Sequence, residues 1–160
     1  MEKKGFKKTL REAFPSIANQ WYQERNGTET PDTLGPYCRD EYWWICDLNH
    51  IWKRSPKSRI NTTDHRPHGC PYCANKEVWP GFNDLETKNP KVASEWDYSR
   101  NKDTPRDVTS SSNKRSFFIC PICHQSYLAR ISDRTLHNSK CNICHPKGNN
   151  HIKAGFNDFI

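Results

Sequence analysis

The chain has 160 residues, of which 33% are hydrophobic and 12% aromatic, and it carries a formal net charge of +7 with a pI of about 9.0. So few aliphatic residues exclude one large apolar core, and so many aromatic rings exclude a disordered polar tail. No stretch approaches the roughly 20 apolar residues of a membrane span, and the opening MEKKGFKKTL lacks a leader's apolar segment, so a cytoplasmic protein without membrane partners is expected.

In chain order, FPSIANQW predicts a short helix with Ile17 and Trp21 turned inward, followed by a polar loop from Asn26 to Pro31. YWWIC and IWKRS read as two strands, with Cys46 closing the first, and a tight turn then holds Cys70 and Cys73. The same order returns further on. NPKVASEW, with Asn89 as N-cap and Pro90 at the first helical position, predicts a helix that buries Val92 and Trp96. The loop TSSSNKR, the strands FFIC and YLARI and the pair Cys141 and Cys144 complete the series.

A shift of about 75 residues superimposes Pro15, Trp21, Asn26, Pro31, Cys46, Cys70 and Cys73 on Pro90, Trp96, Asn101, Pro105, Cys120, Cys141 and Cys144. Gly-Phe punctuates the copies at residue 5, at 81 as GFNDL and at 155 as GFNDF. The expected domains are 1–78, 79–154 and a tail, 155–160, that starts a third unit or caps the second. The expected fold is small α+β and metal-stabilised, two tandem modules each built from a short helix and a β-hairpin with two zinc knuckles.

Domains of this size need a staple, and eight cysteines in a reducing compartment point to metal rather than disulfides. Cys120, Cys123, Cys141 and Cys144 have the spacing C-x2-C-x17-C-x2-C, a complete thiolate set for tetrahedral zinc. His124 is then spare. The first copy offers Cys46, Cys70 and Cys73, with His50 four positions after Cys46 as its fourth ligand and Cys38, His65 and His68 as rivals. Two structural zinc ions are expected, closed on all sides, so that no small-molecule substrate is expected.

Trp44, Cys46, His50, Trp52, Arg59, Cys70 and Cys73, within WWIC, HIW and GCPYC, resemble the zinc-ribbon or treble-clef repeat family of bacterial and phage proteins. The second copy departs from it, with Phe118 and Tyr127 for the tryptophans and Cys-Asn-Ile-Cys for Cys-Pro-x-Cys. The resemblance covers nearly the whole chain. Family members often accompany nuclease domains, so it implies association with nucleic acid and a nuclease or other protein partner.

Basic residues cluster between the ligand pairs: Lys53, Arg54, Lys57, Arg59 and Arg66 in the first copy, and Arg115, Arg130, Arg134 and Lys140 in and around the second. Cations beside aromatics suit a surface that tracks phosphates and stacks bases. Lys53, Arg54, Arg59, Arg66, Arg115, Arg130, Arg134 and Trp44 are therefore the expected nucleic-acid contacts, with DNA ahead of RNA. Trp43 and Trp44 point to opposite faces of a strand, so only one can join a given core. The expectation is a non-catalytic zinc module that binds nucleic acid, accessory to a nuclease or defence system. A protein-binding adaptor or phage-encoded inhibitor is the alternative. A His-Asn-His-type nuclease using Asp64, His65 and His68 ranks last, because the second copy offers only His137 there.

Overall fold

The computed structural model describes residues 7–60 and 67–145. Its first element, α1 (Leu10–Ala13), starts where the sequence writes Thr-x-x-Glu. Thr9 Oγ1 accepts from the Glu12 amide at 3.2 Å and Glu12 Oε2 accepts from the Thr9 amide at 2.8 Å, a reciprocal cap. The helix cannot run on, since a residue before proline is pushed out of the α region. Phe14 accordingly sits at φ −141° and α2 (Pro15–Ala18) begins anew. The helix expected over FPSIANQW is thus the single turn α2, which ends at Ala18 before Trp21, and α1 precedes it. After it come α3 (Gln23–Asn26), the antiparallel strands β1 (Tyr42–Ile45) and β2 (Ile51–Arg54), and a 3₁₀ turn, Lys57–Arg59.

The second unit repeats this scheme. Asp84 caps α4 (Leu85–Lys88), accepting from Thr87 N at 2.9 Å and from Gly81 N at 2.6 Å. Gly81 takes φ 85°, which explains the glycine in GFNDL. Asn89 at φ −139° breaks the chain before α5 (Pro90–Ala93). A 3₁₀ turn, Pro105–Asp107, leads to the antiparallel β3 (Arg115–Ile119) and β4 (Ser126–Arg130), and α6 (Ile131–Thr135) comes after them. No described helix is long and apolar enough to cross a membrane.

The chain divides between Ala74 and Asn75, where the repeat placed the boundary between 78 and 79. The intervening residues belong to the second unit: Asn83 Oδ1 accepts from Trp79 N at 2.7 Å and its amide donates to Glu77 O at 2.9 Å. The tail 155–160 lies outside the described residues.

Each unit has its own core. Leu10, Ile17, Trp21, Trp44, Trp52 and Ile60 form the first, and Leu85, Trp96, Val108, Phe118, Tyr127 and Ile131 the second. A single backbone bridge joins Trp21 to Trp44 and Trp96 to Phe118, and in both pairs the rings meet edge-on at 88°, with centroids 5.1 and 5.5 Å apart. An asparagine clamps each hairpin from outside. Asn26 donates to Trp43 O and accepts from Trp43 N at 2.8 and 2.9 Å, and Asn101 does the same to Phe117 at 2.8 and 3.0 Å. This is why an asparagine recurs 75 residues on.

Candidate metal centres

The β1 to β2 connection folds its ligands together through its own backbone. Cys46 N donates to His50 O at 3.1 Å and Asn49 N to Cys46 O at 2.8 Å, with Asn49 at φ 60°, a conformation asparagine tolerates. His50 Nδ1 then stands 3.5, 3.7 and 3.4 Å from the sulfurs of Cys46, Cys70 and Cys73, and Cys46 Sγ lies 3.9 Å from Cys73 Sγ. In the second unit Cys120 Sγ is 3.7 Å from Cys144 Sγ, and Cys123 Sγ is 3.8 Å from Cys141 Sγ. Within each set of four, all ligand atoms lie within 4.8 Å of one another.

Those distances are the edges of a coordination tetrahedron. With Zn–S and Zn–N bonds of about 2.3 and 2.0 Å, tetrahedral ligands stand about 3.8 Å apart sulfur to sulfur and about 3.5 Å sulfur to nitrogen. Soft thiolates with one imidazole are also the donors zinc prefers. The chain therefore carries two structural zinc sites, Cys46–His50–Cys70–Cys73 and Cys120–Cys123–Cys141–Cys144. Four protein ligands close each site and leave no position for a reacting water.

Proton equilibria show why such clusters call for a cation. Burial first, and the neighbouring thiols next, push Cys73 up to about 12, and the same causes raise Cys144. Cys46 and Cys120 move the other way: burial opposes ionisation, but backbone amides of Leu48 and His50, and of Cys123 and Ile122, together with hydrogen bonds from neighbouring thiols, outweigh it. One thiol per cluster thus ionises more readily than a free cysteine. A divalent ion offsets the burial and mutual repulsion that raise Cys73 and Cys144.

Two of the rivals for the fourth position, Cys38 and His68, fall elsewhere. Cys38 donates to Asp40 Oδ2 at 3.6 Å, His68 is exposed, and His65 lies outside the described residues, as does Asp64. The two knuckles also differ in register. His124, four positions after Cys120 as His50 is after Cys46, takes φ 55° and donates its amide to Cys120 O at 3.0 Å, which makes it the counterpart of Asn49. Gln125, whose carbonyl accepts from Cys120 N at 3.0 Å, is the true match of His50. The second loop has one more residue, and its fourth ligand comes from before the bend rather than after it.

Three of the expected nucleic-acid contacts are core residues instead. Trp44 is 0% exposed, Arg59 2% and Arg134 8%. The Arg59 guanidinium lies 4.4 and 5.2 Å from the ring centres of Trp44 and Trp52 and donates to Gln20 Oε1 and, at 3.0 Å, to His68 O. Burial lowers its pKa to about 10, while the nearby Cys70 sulfur opposes that shift. Arg134 repeats the arrangement over Phe118 and Tyr127, held by Glu95 and the Ser139 carbonyl. Both arginines lock the hairpin to the segment after the second helical turn and have no reach to a phosphate. Lys53, Arg54, Arg115 and Arg130 are exposed, and Arg66 lies outside the described residues.

The described fold and its two closed tetrahedral sites define a tandem zinc-finger protein. Comparison with family models agrees: the chain belongs to the family described as a probable treble clef zinc finger domain, matched twice, over residues 17–76 and 92–147. No curated protein sequence matches the chain.

Proposed function

We propose that this protein is a non-catalytic module in which zinc stiffens two small units so that exposed cations on their hairpins hold nucleic acid. The observation that carries this reading is the pairing of Arg115 directly opposite Arg130 across the β3–β4 ladder. Like charges at that spacing destabilise a hairpin, and among the described residues neither arginine forms an ion pair. A phosphate between them turns the repulsion into attraction. Beside them runs a groove of about 740 Å³ whose lining includes Arg115, Arg130, His137 and Lys140, with Asp133 the one carboxylate among its described lining residues. Zinc-bound thiolates lower the formal charge from +7 to about +4, so local placement of cations outweighs their sum.

DNA is the first ligand to test. Four contacts, from Lys53, Arg54, Arg115 and Arg130, give a slope near −3.6 in log K against log salt on duplex, or near −2.8 on single strands. Replacing Arg115 and Arg130 with Gln should weaken binding and flatten that slope by about two contacts' worth. Absence of binding to duplex, single-stranded DNA or RNA at low salt rejects the proposal. Catalysis by a nuclease partner fits such a module. A protein-binding adaptor is the second reading, favoured by Ile119 and Leu128, each 42% exposed on one hairpin face. Capture of a protein that survives nuclease treatment and high salt supports it.

A further inference from the structure

We infer that the outer face of each hairpin, where an arginine lies over the strand aromatic that points away from the core, is a stacking platform for unpaired bases. The ligand of the proposed function is then single-stranded nucleic acid; the inference rests on that function.

Alternation sets up the face. Trp44 and Phe118 turn inward, so Trp43 and Phe117, one residue earlier, turn outward and stay half-exposed. Over each lies an exposed arginine from the segment before the hairpin, Arg25 on α3 and Arg100 in a turn. The Arg25 guanidinium is 4.9 Å from the Trp43 ring centre, and that of Arg100 is 3.7 Å from the Phe117 ring centre. The two arginines are 75 positions apart in sequence and the two rings 74, so the stack is part of the repeat. A structural brace alone would need no such partner, because the backbone at both aromatics is already fixed: the Trp43 carbonyl accepts from Tyr22 N at 3.1 Å and from Asn26, and that of Phe117 from Asp97 N at 3.1 Å and from Asn101. The asparagine clamps hold rigid the two residues that carry the outer rings.

Arg25, which also lies 5.7 Å from the Tyr22 ring centre, and Arg100, which also donates to Ser126 Oγ at 3.3 Å, both stay exposed to a ligand. Arginine planes and aromatic faces are what splayed bases stack on, and the guanidinium edge donates to phosphate. Cations flank both platforms on the same strand face: Lys53, opposite Trp43 and 5.9 Å from its ring, and the Arg115 and Arg130 pair two residues along from Phe117 and Leu128. Bases inside a duplex are already stacked and offer only edges in the grooves. A cation and ring platform therefore selects unpaired bases.

The test uses the full zinc-loaded chain with oligo(dT) and a duplex of equal length. Trp43→Leu with Phe117→Leu keeps charge and apolar bulk but removes the π faces. Arg25→Lys with Arg100→Lys keeps charge at two exposed positions, removes the planes, and covers the case in which the first pair fails to fold. The expected result is preference for oligo(dT), a loss of about tenfold or more per platform in both pairs, and a salt slope within one contact of the parent's. Equal affinity for duplex and single strand, or variants that bind oligo(dT) like the parent, overturns the platform and leaves charge-driven binding standing. No binding to either nucleic acid overturns the platform and the proposed function together.

Discussion

Glu95 is the place where the two units perform a natural substitution on each other. Its carboxylate accepts from the buried Arg134, with only 9% of the arginine side chain and 12% of the glutamate side chain exposed. The equivalent residue in the first unit is Gln20, whose Oε1 accepts from Arg59. Glu95→Gln keeps an acceptor where the guanidinium needs one, and the anionic thiolate site beside Arg134 still offsets the charge, so the expected loss is about 1 kcal/mol. Glu95→Ala leaves a buried cation with one carbonyl and two rings, and the expected loss is about 3 kcal/mol. Amide exchange of the β3–β4 ladder in zinc-loaded protein reads both, with the β1–β2 ladder as internal reference. Equal losses for the two substitutions, or less than about 0.5 kcal/mol for alanine, refute the reasoning.

Asn101→Ala removes two hydrogen bonds to Phe117 and should lower protection in β3–β4 by about 1–3 kcal/mol while β1–β2 stays unchanged; Asn26→Ala should do the reverse. Trp44→Ala should cost about 3–5 kcal/mol in the first unit, seen in the same exchange experiment, because Trp44 is core. Cys73 is the one exposed ligand thiol, whereas all four sulfurs of the second site are buried. A thiol reagent or chelator should therefore release one zinc quickly and the second slowly, with Cys73 modified first; simultaneous release, or early labelling of Cys120, contradicts this.

The ligand pairs were legible in the sequence because zinc restricts spacing so tightly that C-x2-C pairs are a local signal. The repeat was legible because tryptophan and cysteine are rare. Arg59 and Arg134 were misread because a cation between ligand pairs looks like a solvated charge, and nothing local reveals an acceptor 39 residues away in Gln20 or Glu95. Their equal placement in both copies, seven residues after Trp52 and Tyr127, was the available clue. The helical breaks were also written in the sequence, as Phe14-Pro15 and Asn89-Pro90. The choice between Trp43 and Trp44 was not, since alternation fixes opposite faces but not which one meets the core.

Zinc counted against folded protein tests the account most directly. Structural zinc contributes about 10–16 kcal/mol in small fingers, as much as the whole stability of a typical domain. Fully reduced, folded chain should contain two zinc ions, and stripping them should abolish the cooperative thermal transition. A folded chain holding one equivalent or none, or a melting curve unchanged after both ions are removed, contradicts it.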